Sequence, residues 1–384
     1  MITSRAMSKT PNAYALSGVD VDVEADASRI MYEASKKTFE NRSGKLGEVV
    51  TPFDDFAGLK MIDVSRLPEG SYLSLGFDGC GTKVEIAERV QRYDTMAFDL
   101  LAMVCDDALI RGGETIVAGS VLDIKSLGTD DRFLPIMRQL AEGYVAAAKE
   151  ANVAIINGEI AQMGSLVSGY GEFPFAWSAG AIWAARKEKL LTGLEIKAGD
   201  AVVMLREEGF RCNGLSLVRK TLKNAHGDEW HTTPFSGSTL GEHVLTPSRI
   251  YSRFVVGLHG GFNTEGSCEI HGVAHITGGG VPEKMMRVLR RAKLGARLHN
   301  LFEPGEIVQT VQKIGGITDH DAYRAWNMGQ GMALITPEPD KVMAEAASYG
   351  MGARIAGEIT ADPRVVISSR GTENPGQELT FDVE

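Results

Sequence analysis

Residues 75–83, LGFDGCGTK, decide how this chain is read. An apolar run reaches Asp78, turns through Gly79 and Gly81, and leaves with Thr82 and Lys83. A turn so poor in side chains bares its backbone amides, and such amides before a helix attract phosphate oxygens. Lys83 would add a point charge, and Asp78 suits Mg²⁺, which takes one or two carboxylates together with phosphate oxygens. The order Gly-Thr-Lys is not the P-loop's GxxxxGK[ST]. Read alone, the stretch is equally a glycine turn capped by an aspartate.

Downstream, a helix expected over 94–111 sets Asp99, Asp106 and Asp107 in the apolar run FDLLAMVCDDALI. Carboxylates on a buried helical face are costly unless paired or on a metal. Asp99 and Asp106, seven apart, share a face, and Asp107 lies only modestly off it; a solvated surface acid is the plain alternative. A strand over 153–156 is expected to end in Asn157-Gly158-Glu159, which would put a carboxylate at a strand's C-terminal edge and lets it complete a metal shell. A simple turn glutamate fits that stretch as well.

The surrounding pattern alternates. Strands are expected over 72–76, 115–124, 201–205, 273–276, 332–337 and 353–359. Helices are expected over 133–152, from 213, and over 247–258, 282–292, 304–314 and 341–349. That is α/β or α+β layering. Residues 1–60 read as an arm with one helical patch near 25–39, the first body as 61–199 and the second as 200–384. At 384 residues with 43% apolar and 23% charged composition, the chain has material for two cores. A net charge of −10 argues against nucleic acid or anionic membrane as partner, since both require clustered cations. Cys80, Cys105, Cys212 and Cys268 form no CxxC pair, and the N-terminus lacks an apolar segment, so a reducing cytoplasm is expected.

Two junctions of the second body look like anion sites: 207–220, EEGFRCNGLSLVRK, and 275–288, HITGGGVPEKMMRV. In the latter, Thr277, Gly278, Gly279 and Gly280 precede Pro282 and Glu283, good helix-start chemistry that leaves amides free for substrate phosphate. His271 and His275, four apart around a strand, are expected on one face, where an imidazole suits acid-base work. A satisfied core histidine is the alternative for either.

In this order the segments resemble the phosphoribosylformylglycinamidine cyclo-ligase (aminoimidazole ribonucleotide synthetase) family. The blocks are SGVDVD at 17–22, FDGCGTK at 77–83, YDTMAFDLLAMVCDDALIRGGE at 93–114, NGEIAQM at 157–163, NGLSLVRK at 213–220, LTPSRIY at 245–251, HGVAHITGGGVPE at 271–283 and YRAWNMGQGM at 323–332. The resemblance implies a two-domain α/β fold, with an N-terminal ATP-binding domain whose sheet pairs across a homodimer and a C-terminal α/β sandwich. It also implies a small phosphorylated substrate, ATP, and Mg²⁺ on Asp78, Asp107 and Glu159. Lys83, Asp107 and His275 would be catalytic. Asp78, Gly79, Gly81, Thr82, Lys83, Asp99 and Asn213 would hold nucleotide, and Asn157, Glu159, Arg211 and 277–280 would hold substrate.

Three loops depart from the family pattern. Residues 44–59 carry fewer glycines than the family's GGFG-type loop. GGET becomes Asn157-Gly158-Glu159-Ile160, with Gln162 for the acid of AEMPG. GPHSNG becomes 209–214, with Arg211 for histidine. A related ATP-dependent synthase acting on another amide or acid, and a catalytically silent nucleotide-binding homologue, are therefore the alternatives.

Overall fold

A computed structural model describes residues 20–50 and 60–383. Part of the 17–22 block and residues 51–59 of the altered 44–59 loop lie outside the described residues. In chain order the main elements begin with α1 (Val21–Thr38), β1 (Ser71–Gly79), α2 (Lys83–Val90), α3 (Met96–Asp106), β2 (Glu114–Ile124), α4 (Leu134–Ala151), β3 (Ala154–Gln162) and β4 (Phe175–Arg186). There follow β5 (Ala201–Arg206), α5 (Leu215–His226), α6 (Ser252–His259), β6 (Gly272–His275), α7 (Gly280–Leu289), β7 (Gly295–Leu298), α8 (Glu306–Gly315), α9 (Asp319–Ala325), β8 (Gln330–Thr336), α10 (Pro339–Ser348), β9 (Ala353–Thr360), β10 (Arg364–Ser368) and β11 (Glu378–Asp382).

The first sheet has four strands in the order β1-β4-β2-β3, antiparallel except for the β2–β3 pair. Helices α3 and α4 close one face of it. In α4, Leu134, Met137, Leu140, Tyr144, Ala147 and Ala148 are buried at three- and four-residue steps, the stripe that a core-facing helix needs. Helix α1 packs on α4 and β3, with Asp20 capping its first turn. The 25–39 patch is therefore part of this body. Strand β4 was not among the expected elements. Phe175, Trp177, Ala179 and Ala181 alternate inward, but the rest of FAWSAGAIWAAR is small residues with little strand signature.

The second sheet has seven strands, ordered β6-β8-β5-β9-β7-β10-β11. The interior strand β5, third in that order, is covered on both faces. Val202 and Met204 pack with Val281, Met285 and Leu289 of α7, while Val203 and Leu205 pack with Val342 and Ala346 of α10. Strands buried on both sides read as unbroken apolar runs, as AVVML does. The expected helix over 94–111 is divided: α3 stops at Asp106, and a 3-10 turn, Asp107–Arg111, follows to a left-handed Gly112. The expected helix over 247–258 shrinks to α6, because residues 248–251 offer backbone and hydroxyl donors to Asp99 and Asp106 instead.

His271 stands just before β6 and is 5% exposed. Nδ1 lies 2.7 Å from Asp200 and Nε2 2.8 Å from Glu269. Burial lowers its pKa, but hydrogen bonds to the two carboxylates outweigh that and raise it. The same recess holds Glu188, Lys189, Glu195, Lys197 and His259. A raised histidine contributes stability in full below its unfolded pKa of about 6.5, and that share is lost as pH rises through the folded value. Urea midpoints should therefore fall as pH rises above about 6.5, and His271→Gln should flatten that slope. An equal slope in the variant would refute this.

Candidate functional site

The site is built where three chain segments meet. Strand β1 delivers Asp78, whose side chain accepts the Gly79 amide at 2.7 Å. The Cys80 amide is bound to the Trp177 carbonyl at 3.1 Å, which stitches the turn to β4. The amides of Gly81 and Thr82, exposed at the start of α2, make no hydrogen bond among the described residues. They form the phosphate-attracting turn expected there. The 3-10 turn after α3 delivers Asp107, and the junction of β6 with α7 delivers Thr277 and Lys284. Asp78, Asp107, His275, Thr277, Lys284 and Arg287 line one cavity of about 240 Å³.

Its electrostatics set two carboxylates, Asp78 and Asp107, beside two cations, Lys284 and Arg287. Burial and the neighbouring charge of Asp107 raise the pKa of Asp78, while the Gly79 amide and Lys284 oppose the rise. Lys284 is pushed down by burial and by Arg287, with Glu283, Asp107 and Asp78 pulling the other way. Two carboxylates that repel each other across a small cavity fit a divalent ion that also binds phosphate. Lys284 and Arg287 were not singled out in the sequence. The available signal was their spacing: they follow Gly280 by four and seven residues and so share the face of α7 that the glycine loop opens.

Thr277 to Gly280 form the loop into α7 as expected. Gly279 and Gly280 have φ of +89° and +62°, and a Cβ on Gly280 would stand 1.9 Å from the Tyr323 carbonyl, so only glycine fits. Asn213 lies beside this loop, and its buried Oδ1 has no partner. Such an orphan acceptor suits a ligand N–H or O–H.

Other expected site residues serve elsewhere. Lys83 does not face the cavity. It is fully buried, and its ammonium donates to Asp99 at 2.8 Å and to the carbonyls of Phe210 at 2.9 Å and Thr246 at 2.6 Å. Asp99, equally buried, also accepts the Ser248 hydroxyl at 2.5 Å and amide at 3.2 Å, all through Oδ1, so it is turned to the interior and not to the cavity. Asp106 accepts the Ser252 hydroxyl at 2.6 Å and the Tyr251 amide at 3.1 Å, and burial pushes its pKa up to about 7. The apolar surroundings of these acids reflect docking of the two bodies rather than metal binding.

Arg211 was expected to contact substrate, yet it is 2% exposed. It donates to Glu207 at 2.8 Å and lies 3.7 Å from Asp106 and 2.8 Å from His275 Nε2. His275 is 1% exposed, and its Nδ1 lies 2.9 Å from Asp107. Burial, opposed by the Asp107 hydrogen bond, lowers its pKa to about 4, so it is neutral at physiological pH with both nitrogens engaged. Acid-base work by an exposed imidazole does not fit this placement. His271 lies apart, in its own clamp.

Glu159 does not join Asp78 and Asp107 within one chain. Strand β3 is longer than expected, so Asn157 and Glu159 lie inside it and not at its end. In register, Asp78 aligns with Ala179, Ser120 and Gly158, whereas Glu159 aligns with Val121, Ser178 and Gly79. The two carboxylates thus point to opposite faces, at opposite edges of the sheet. Among the described residues no group of three or more histidine, cysteine or acidic side chains converges on a metal position. Asn157 and Glu159 line two other recesses, of about 450 and 480 Å³, the first beside α1 and the second on the sheet's open face.

Residues 54–177 match the family model described as AIR synthase related protein, N-terminal domain, and residues 197–369 match its C-terminal domain. The chain is 35% identical over 328 residues to the phosphoribosylformylglycinamidine cyclo-ligase of Pyrococcus furiosus, covering 85% of this chain and 89% of that one. It is 33% identical over 361 residues to the enzyme of the same name from Carboxydothermus hydrogenoformans, covering 92% and 98%. Among solved structures it is similar in fold to the Escherichia coli hydrogenase maturation protein HypE, with a TM-score of 0.58, 14% identity and coverage of 93% and 95%. It is likewise similar to thiamine-monophosphate kinase from Stenotrophomonas maltophilia, with a TM-score of 0.55, 12% identity and coverage of 85% and 93%.

Removing one member of a buried ion pair strands the other, at about 3–5 kcal/mol. Lys83→Met should therefore lower unfolding free energy by that amount, and adding Asp99→Leu should restore part of it. Lys284→Met should leave stability within about 0.5 kcal/mol while weakening nucleotide binding. Denaturant titration and nucleotide titration of the variants check both, and a stable Lys83→Met that binds poorly would reverse the assignment.

Proposed function

Because the chain belongs to the AIR synthase related family, we propose that it is an ATP-dependent cyclo-ligase. It converts formylglycinamidine ribonucleotide to aminoimidazole ribonucleotide, with release of ADP and phosphate, in purine biosynthesis. The observation that carries this reading is the meeting of Asp78, Asp107 and Lys284 in one small cavity, with the open Gly81 and Thr82 amides three and four residues along the chain from Asp78. The relatives' shared name supplies the reaction.

The chemistry suits these groups. The formyl oxygen of the substrate takes the γ-phosphoryl group and ADP leaves. An internal nitrogen then attacks the activated carbon, the carbon–oxygen bond breaks, phosphate departs and the ring closes with loss of a proton. Phosphoryl transfer requires positioning and charge neutralisation more than covalent help. The Gly81 and Thr82 amides, with Lys284 and Arg287, are the donors and charges for the triphosphate. The loop 277–280 would hold the phosphorylated substrate, and the orphan Asn213 Oδ1 beside it would accept from the nucleotide, the role the family resemblance gives it. Asp78 and Asp107 would hold Mg²⁺, which when bound screens the triphosphate and withdraws charge from the transferring group.

A homodimer belongs to the same reading. On β1 and β2 the open face of the first sheet leaves Leu75 55%, Phe77 75% and Val121 43% exposed. Contiguous apolar area of this kind marks an association surface. A second copy of the chain seated there would bring Glu159, on that face, to the junction between protomers. Cytoplasmic location is part of the proposal and is supported by four free, buried cysteines. No helix among the described residues is long and apolar enough to cross a membrane.

Purified protein given formylglycinamidine ribonucleotide, ATP and Mg²⁺ should release one ADP and one phosphate per ring closed. Asp107→Asn should lower kcat by about 100-fold or more. Absence of turnover at every magnesium concentration would count against the assignment. Phe77→Glu should shift the mass measured by light scattering from dimer to monomer; an unchanged dimer would place the interface elsewhere.

A further inference from the structure

The buried row Glu207, Arg211, His275, Asp107 has a polarity that chemistry alone fixes. An arginine guanidinium has five N–H donors and no acceptor. Arg211 Nη2 lies 2.8 Å from His275 Nε2, so that nitrogen must be the bare acceptor of the ring. The proton of the neutral imidazole then sits on Nδ1, 2.9 Å from Asp107 Oδ1, and is donated to it. Arg211 is itself held by Glu207 at 2.8 Å and by the Arg249 carbonyl at 3.3 Å, beneath a surface that leaves it 2% exposed. Its guanidinium also lies 5.5 Å from the centre of the Tyr251 ring. The planar fork therefore cannot swing away from the histidine without abandoning buried partners.

We propose that Arg211 is a positioning residue that locks His275 as the Nδ1–H tautomer and so turns Asp107 toward the cavity it shares with Asp78. The inference rests on the cyclo-ligase reading only for what the cavity binds. Asp107 Oδ1 receives the imidazole proton, and its other oxygen accepts no hydrogen bond from the described residues, which leaves it for a divalent cation. Partners that orient a metal-binding group typically change metal affinity by about 10–100-fold when removed. The same geometry withdraws His275 from proton carriage, because its one proton is committed to Asp107 and its other nitrogen is capped by a permanent cation.

The test is long-range ¹⁵N–¹H correlation of ¹⁵N-histidine-labelled, metal-free protein near neutral pH, with His275 assigned by His275→Gln. The wild type should show Nδ1 protonated and Nε2 bare. Arg211→Lys keeps a charge for Glu207 but loses the fork, and should show both tautomers of His275 where the wild type shows one, since only the Asp107 end of the row then holds the proton on Nδ1. In turnover the same variant should raise the Mg²⁺ concentration for half-maximal rate by about tenfold, with kcat at saturating Mg²⁺ changed less than threefold. An Nε2-protonated His275 in the wild type would overturn the proposal even if Arg211→Lys does not fold. An unchanged tautomer in a folded variant would overturn it as well. The spectrum needs neither ATP nor substrate, so it decides the tautomer whatever reaction the cavity supports.

Discussion

Everything in this structure hangs on one ammonium group buried between two bodies. Lys83 Nζ has three protons and three acceptors: Asp99 from α3 and the carbonyls of Phe210 and Thr246 from the second body. A charge removed from water costs several kcal/mol unless its partners are close and complete, and here each donor is matched. The group therefore acts as a gauge of relative position. Only when the 209–214 and 245–251 loops lie against α2 and α3 is the ammonium satisfied. That same docking brings the β6–α7 junction to Asp78 and Asp107, so a buried pair outside the cavity sets the geometry of the groups that line it.

Much of the fold was legible because periodicity is local. The α4 stripe and the unbroken apolar β5 announce themselves in a dozen residues or fewer. Strand β4 escaped because alanine, glycine and serine carry little pattern, and β7, β10 and β11 also went unread. In the site, Asp78, Asp107 and Thr277 were readable as glycine-turn and acid chemistry, and they line one cavity. The acids and cations of the interior were misread for one physical reason. A sequence shows that a charge sits among apolar residues, which signals a partner, but not whether that partner is a ligand or another part of the chain. Lys83 and Asp99 found partners more than a hundred residues away, and Arg211 reached His275, 64 residues on. For Glu159 the error was one of length, since a few further residues of strand carried it to the middle of β3 and onto the other face.

The departures from the family's loop pattern take on a definite shape here. Arg211, standing where the family has histidine, is absorbed into a buried ion row with Glu207 and Asp106. The cationic character of the cavity comes instead from α7, through Lys284 and Arg287. The site is thus supplied from its C-terminal wall more than from the loop that leads into α5.

The glycines before α7 have a consequence for how ancestry and activity are told apart. Backbone carbonyls of Tyr323 and Trp326 press on Gly280 so closely that no side chain is admitted, whatever the loop binds. A descendant that had abandoned its chemistry would still be obliged to keep Gly280 in order to fold, so that glycine testifies to lineage. Asp78 and Asp107 are a different case, because burial and the Asp107 charge make the Asp78 carboxylate costly to ionise, with the Gly79 amide and Lys284 opposing that. Their persistence in this chain is the feature that speaks for a working enzyme.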